Sequence, residues 1–437
     1  MGFGVWGLGQ ADTPFYLQPF TYELDNPRQS ITHDLVKVDV ELPMTARGGW
    51  DIIYGWQRNH RQEYDRRRGD RNDRPAMDME LYTNTLDVHY HHPRHEFWKG
   101  TLGFTGLWKV NDNLPGTGVT PLIPAYRAGR GSFFAMEQYI TEHWEAEVGV
   151  RYDEHFLRVL RFTSRGDLIR PQYNFRNPSA TIGGLYKVTP QLSVRSILAS
   201  AWRPPDVSEL YSEGLHHGAA SLELGDSTLQ SEQAFKWLTT LSWTGKRARL
   251  EVDAYWQRIN NYIYLQPQGT TILTVRGAFP LFQYTQTDAR LAGMDVSGQL
   301  VIIPDHLRWS AQYSMIRAHD LTQGGYLFLI PADRTLNRLQ WTGALGEKVG
   351  FRTWLEHVFV ARQTRISQDA DYSLPPPAYN LFHGGLALES LREGSNWELQ
   401  LQVQNIANTS YRDYMNRFRY FADELGRSVS LGLNYRF

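Results

Sequence analysis

The chain has 437 residues, 45 Lys and Arg against 46 Asp and Glu, a formal net charge of -1 and no cysteine. Nothing in that balance points to nucleic acid as a partner, and disulfides, thiolate metal centres and cysteine nucleophiles are excluded outright. Aromatic residues reach 13% while apolar residues total only 41%, and the longest apolar run, Tyr326 to Ala332, is about a third of the roughly 20 residues a membrane helix needs.

The opening MGFGVWGLGQ lacks the basic start, long apolar core and small-residue cleavage site of a signal peptide, so Met1 reads as an internal or accidental start. Residues 1–32 read as the tail of an external loop with the remnant of a preceding strand. A strand is expected near 33–42, and from there alternation with period two, which sends successive side chains to opposite faces, runs to the end. From Trp144 to Asp153, Trp144, Ala146, Val148, Val150 and Tyr152 share one face while Glu145, Glu147, Arg151 and Asp153 share the other. Leu250, Val252, Ala254 and Trp256 oppose Glu251, Asp253, Tyr255 and Gln257; Trp397, Leu399, Leu401 and Val403 oppose Glu398, Gln400, Gln402 and Gln404. The last strand puts Val429, Leu431, Leu433, Tyr435 and Phe437 opposite Ser430, Gly432, Asn434 and Arg436.

Alternation alone does not say whether the apolar face meets a protein core or lipid, and a soluble β-sandwich or lectin-like protein shares it. Length separates the two: soluble strands average about 5 to 6 residues, whereas tilted membrane strands need about 9 to 11, and many segments here are of the longer kind. The connections also alternate. Short turns are expected near 43–47, 93–95, Glu142, 188–190, 244–246, 303–305, 346–348 and 389–395. Long loops are expected near 61–78, 111–129, 156–172, 204–232, 266–279, 320–331, 363–376 and 407–426. Tight periplasmic turns with long external loops describe an outer-membrane barrel. The fold class is therefore all-β, a transmembrane antiparallel β-barrel over 33–437 with roughly 17 strands present; since bacterial single-chain barrels have even strand numbers, it reads as truncated at its N-terminal side.

Within that frame, ASAWRPPDVSELYSEGLHHGAASLELGDSTLQSEQAF over 199–235 resembles the mid-barrel segment of TonB-dependent outer-membrane receptors, through Arg203, Pro205, Glu209, Leu210, Tyr211, Gly214, Gly225, Leu229 and Glu232. The closing VQNIANTSYRDYMNRFRYFADELGRSVSLGLNYRF resembles their last two strands and last loop, with Asn405, Asn408, Tyr411, Gly426, Arg427 and the terminal Phe437 in place. LDNPRQSITHDL, QEYDRRRGDRNDRPAMDMELYT and NDNLPGTGVTPLIPAY are similar to receptors of the Bacteroidetes type. The resemblance implies a 22-strand barrel of which this chain supplies about the last three quarters, with no TonB box, plug domain or first strands in the sequence. It further implies uptake of a scarce nutrient such as a ferric siderophore or other metal chelate, energy from the TonB-ExbB-ExbD system, contact with outer-membrane lipids and lipopolysaccharide, and recognition of the terminal strand by the outer-membrane assembly machinery. No cofactor is implied. The alternatives are a passive porin-like channel, a structural barrel, or a non-functional truncated remnant.

Candidate ligand-binding residues follow from the external placement. His216 and His217 lie in a long external loop with Glu213, Glu223, Asp226 and Tyr211, where imidazole and carboxylate meet an incoming metal or chelate; the plain alternative is loop folding. The Arg58–Arg74 loop carries Arg61, Arg66, Arg67, Arg68, Arg71 and Arg74 among Glu63, Asp65, Asp70 and Asp73, a mixed-sign run that is either solvated or suited to anionic lipopolysaccharide or an anionic chelate through the planar guanidinium. His89, His91, His92 and His95 fall at a periplasmic strand end and do not share one face, which suits structural roles better than a tetrahedral metal site. Trp50, Tyr54, Trp56, Trp98, Trp108, Trp144, Trp309 and Trp354 suit membrane-interface girdles, while Tyr262, Tyr264, Tyr326 and Tyr411 are placed to touch ligand from loop tips. No GxSxG elbow, HExxH pair or phosphate-cradling loop is present, so no catalytic residues are assigned.

Overall fold

The computed structural model describes residues 28–44, 48–65, 73–93, 95–162, 166–274, 277–367, 370–391 and 396–436. Arg66, Arg67, Arg68 and Phe437 lie outside the described residues. Strands take up nearly all of the rest: β1 (Arg28–Pro43), β2 (Gly49–Tyr64), β3 (Met77–His91), β4 (Trp98–Asn113), β5 (Ala125–Ile140), β6 (Trp144–Phe162), β7 (Leu168–Ile169), β8 (Gln172–Thr189), β9 (Leu192–Arg203), β10 (Glu213–His216), β11 (Ser221–Leu224), β12 (Glu232–Thr244), β13 (Ala248–Thr274), β14 (Gly277–Ile303), β15 (Leu307–Asp320), β16 (Arg334–Leu345), β17 (Val349–Val360), β18 (Tyr379–Ser390), β19 (Asn396–Gln404) and β20 (Ser428–Arg436). A single helical turn, α1 (Val207–Tyr211), precedes β10.

The long strands pair antiparallel, each with the next along the chain, β6 stepping over β7 to β8 and β9 over the pair β10–β11 to β12. β7, β10 and β11 belong to external loops, and the remaining strands form the wall. β1 begins at Arg28, so residues 28–32 are strand rather than loop. The sheet is open among the described residues: β1 pairs with β2 and β20 with β19, and neither edge has a second neighbour.

Alternation sets the two faces as the sequence requires. On β6, Trp144, Val148, Val150 and Tyr152 point outward and are exposed, whereas Asp153 is buried inside against Ser132 and Arg151. An outward ring of Trp50, Trp98, Trp144, Trp243 and Trp341 follows the short-turn end, and Trp108, Phe235 and Trp256 lie further toward the long loops. Such paired aromatic belts flank the apolar band of a membrane barrel. Trp354 departs from the girdle expected of it. Its register partners put it on the polar face with Arg338 and Glu356, opposite the exposed Leu339 and Leu355. Gly385 next to it has no side chain, a Cβ there would come within 2.6 Å of the Trp354 indole nitrogen, and Arg338 caps the ring at 4.3 Å.

One expected loop is strand. β13 and β14 each run 27 residues, about 90 Å of chain at 3.3 Å per residue, so the segment expected to be a loop at 266–279 continues the ladder far beyond a hydrocarbon layer of about 30 Å. Register shifts between Ile259 and Tyr262 and between Pro267 and Thr271 bend this hairpin, the usual effect of a bulge, and its upper half leaves the wall to cross the mouth.

Candidate functional site: the outer mouth

The long-loop end is closed over by four segments that lock onto one another. The first, 204–231, is organised by Arg203 at the end of β9. Its guanidinium gives Nη1 to Glu209 at 2.7 and 2.9 Å, and Nε and Nη2 to the two oxygens of Glu232 at 3.0 Å. Planar bidentate donation of this kind is what Arg supplies and Lys does not. Glu209 also accepts from the Asp206 amide while Asp206 accepts from the Ser208 amide, a capping box that starts α1. Pro205 is buried at the start of this turn.

Leu210 and Tyr211 then fall into a core cluster with Ala128, Leu157, Val159, Leu229 and Ile263. The Tyr211 hydroxyl bonds the Tyr173 hydroxyl, and burial, helped by that bond, pushes its pKa well above the ordinary tyrosine value. Gly225 packs against the same turn so closely that a Cβ would stand 2.4 Å from the Tyr211 amide nitrogen. Gly214 takes a φ of 145° as β10 leaves the turn. Thus Arg203, Pro205, Glu209, Leu210 and Tyr211 of the motif the sequence marks meet in one structural knot, and Gly214 turns the chain out of it toward Leu122.

β10 and β11 form a small hairpin on top of this knot, and β11 lies parallel to β14 through Leu222–Leu224 and Leu281–Gln283. Glu223 is buried, with 2% exposure. Burial alone raises a carboxylate pKa, but the His216 hydrogen bond at 2.8 Å and the Arg417 charge at 2.9 Å outweigh it, so Glu223 is held below its ordinary value and stays ionised. Glu213 instead faces Arg161 at 2.8 Å. The His217 backbone opens the short 3-10 turn between the two strands.

Arg417 comes from the last loop, 405–427, arching in from the opposite side of the mouth. It also donates to Ser221 at 2.6 Å and covers the buried Phe282 ring of β14 at 5.0 Å. That loop is shaped at its root by Asn405 and Asn408, both at positive φ. The Asn405 side chain bonds the Thr409 backbone in both directions at 2.8 Å, and Asn408 accepts from the Arg427 amide at 2.9 Å. Arg427 returns a bond to the Ile406 carbonyl at 2.9 Å, and Tyr411 packs against Tyr379 with tilted rings whose centroids lie 4.5 Å apart. Further up, Arg419, 2% exposed, lies between Tyr414 and Tyr420 and pairs with Asp371 of the 361–378 loop. Tyr372, beside it, donates to the Thr270 and Leu281 carbonyls of the long hairpin.

The periplasmic histidines have separate partners. His91 contacts Asp51 and Thr101, His92 contacts Glu137, and His89 packs edge-on against Phe134. Tyr262 and Tyr264 stack on each other within β13, and Tyr326 packs on His319. Among the described residues no three His, Asp or Glu side chains converge as metal ligands. The part-buried Arg417 and the buried Arg419–Asp371 pair carry no sequence signal of their own, because they sit in loops where no periodicity separates a solvated charge from a buried one.

A long-stranded sheet with apolar, aromatic-belted outer face, charged inner face, short turns at one end and interlocked loops at the other defines an outer-membrane receptor barrel. The chain belongs to the TonB-dependent receptor-like β-barrel family, whose model matches residues 3–406. Solved structures agree in fold. The copper transporter OprC is 14% identical with a TM-score of 0.72, over 93% of this chain and 66% of that one. The FrpB iron transporter from Neisseria meningitidis in apoprotein form is 12% identical with a TM-score of 0.69, over 94% and 65%. The ferric yersiniabactin uptake receptor FyuA from Yersinia pestis is 11% identical with a TM-score of 0.63, over 93% and 60%. The chain spans about two thirds or less of the length of these proteins, and identities this low carry the fold alone. It is an outer-membrane protein whose strands, not helices, cross the bilayer.

Proposed function

We propose that this barrel serves TonB-dependent uptake of a scarce nutrient, a ferric siderophore or other metal chelate. The observation that carries the reading is the outer mouth: four loop segments, tied by buried and part-buried ion pairs rather than left as separate solvated loops, form a shaped entrance above a polar lumen. Similar folds named as copper, iron and ferric yersiniabactin transporters support it at the level of the family. On this reading His216, His217 and Glu213, with Arg66, Arg67 and Arg68 of the 61–78 loop, belong to the ligand-facing side, while Tyr211, buried in the knot, holds the loop that presents them. Energy coupling through TonB-ExbB-ExbD, contact with lipopolysaccharide and recognition of the Phe437 strand by the assembly machinery complete the proposal. Uptake of radiolabelled iron from a panel of chelates, compared between cells with and without the gene and with and without a dissipated proton gradient, tests it. Uptake that needs both the gene and the gradient is expected. Gene-dependent uptake indifferent to the gradient would favour a passive channel, and gene-independent uptake would remove the proposal.

A further inference from the structure

A cavity of about 480 Å³ opens on the inner side of the mouth between the β2–β3 hairpin, the 114–124 loop and β10. Its wall includes Arg61, Glu63, Met77, Met79, Glu213 and His216. Met77 and Met79 lie two residues apart on β3, opposite Glu63 and Arg61 of β2. They therefore share a face, and it is the inner one, since the outward face of β3 carries Leu86 and that of β2 carries Trp50 and Tyr54.

The charges in this wall are already committed. Arg61 meets Glu63 at 2.5 Å, Glu213 meets Arg161 at 2.8 Å, and Asp78, between the two methionines on the opposite face of β3, meets His60 at 2.8 Å. Besides them the wall offers two thioethers, one imidazole and the neutral oxygens of Asn113, Thr117 and Thr120. The imidazole is oriented: His216 Nδ1 lies 2.8 Å from the buried Glu223, which Arg417 also holds. A carboxylate only accepts, so Nδ1 carries the hydrogen, and in the neutral ring the lone pair lies on Nε2. A histidine whose second nitrogen is anchored on a carboxylate is the usual arrangement of a metal-binding imidazole. Thioether sulfur selects soft ions such as Cu(I), while oxygen-seeking ions need the carboxylates that Arg61, Arg161 and His60 engage here.

We propose that the mouth cavity binds a soft monovalent metal ion, Cu(I) or its redox-inert counterpart Ag(I), through the Met77 and Met79 sulfurs and His216 Nε2. The inference rests on reading this mouth as the side where cargo enters, and it narrows the cargo to a thiophilic ion or its small complexes. The probe is Ag⁺, titrated calorimetrically into the purified full chain in detergent against a competing thioether ligand. One strong site per chain is expected, with affinity lowered at least about tenfold in Met77→Leu/Met79→Leu and in His216→Gln, the range seen when ligands or their orienting partners are lost. Met415→Leu, an exposed thioether elsewhere, is expected to bind as wild type does, and Zn²⁺ to leave no strong site. Leu matches Met in volume, and an unchanged far-ultraviolet spectrum confirms that each variant is folded. Equal silver binding by wild type and the double variant, or none by either, overturns the inference. Chelate uptake by cells is scored separately on the same variants: uptake without silver binding removes this inference alone, and silver binding without uptake removes the transport reading alone.

Discussion

At the scale of single residues, the mouth is held by a few side chains whose replacement has defined consequences. Arg203 joins Glu209 and Glu232 from the two ends of one loop. Its own side chain is partly solvated, so Arg203→Ala is expected to cost about 1 to 3 kcal/mol, below the full range for a buried pair, and Arg203→Lys to recover little of it because an ammonium makes no fork. Faster chymotrypsin cleavage after Tyr211, within 204–231, is the readout; unchanged cleavage would mean the fork does not hold the loop. Gly225→Ala drives a methyl into the Tyr211 and Leu210 backbone and is expected to loosen the same loop by about 1 to 3 kcal/mol, visible in the same digestion. Asp333 provides a pH test. The hydrogen bonds from Arg317, with the charge of Arg365, hold its carboxyl below the ordinary value. A depressed folded pKa means the stabilisation is complete above the unfolded value and is lost as pH falls through the folded one. Amide protection in 321–333 and 361–367, taken relative to the intrinsic exchange rate at each pH, is therefore expected to fall as pH drops below the ordinary Asp value of about 4, and Asp333→Asn to show the lower protection throughout without that step.

At the scale of elements, the β13–β14 hairpin is the piece that turns a barrel rim into a mouth. Its upper half is fastened by Tyr372 to the 361–378 loop and by β11 along Leu281–Gln283. Tyr372→Phe removes the hydroxyl that serves both Thr270 and Leu281, and hydrogen exchange at 268–283 is expected to rise severalfold, corresponding to about 1 kcal/mol for the lost bonds, while exchange at 248–259 in the wall stays as it was. Equal change in both halves would show that the hairpin opens as one unit. Sequence alternation located this hairpin but not its length, because Gln266, Gln268 and Gly269 interrupt the apolar pattern while the backbone ladder, which needs no particular side chains, continues. The 204–231 motif was legible as a motif; that its members form one knot required the fold.

At the scale of the whole molecule, the question is which face meets lipid. Val150 points outward near the middle of the β6 span and Glu147 inward. Val150→Arg is expected to destabilise the membrane-folded protein by about 2 to 4 kcal/mol, the cost of a cation near the bilayer midplane, while Glu147→Gln stays within about 0.5 kcal/mol. Urea titrations of the vesicle-folded protein, followed by tryptophan emission, measure both, and reversal of the order would turn the barrel inside out.

What the sequence by itself determined is the local periodicity and its scale. Ten-residue alternation fixes a two-faced sheet too long for a soluble sandwich, and the short-long rhythm of connections fixes which end carries the loops, because both depend only on neighbours along the chain. Only the tertiary structure decided how the loops close. Arg417 reaching Glu223, Arg419 buried against Asp371 and Trp354 turned inward over Gly385 are contacts between segments far apart in sequence. They depend on where the sheet places those segments, and no local pattern encodes that distance.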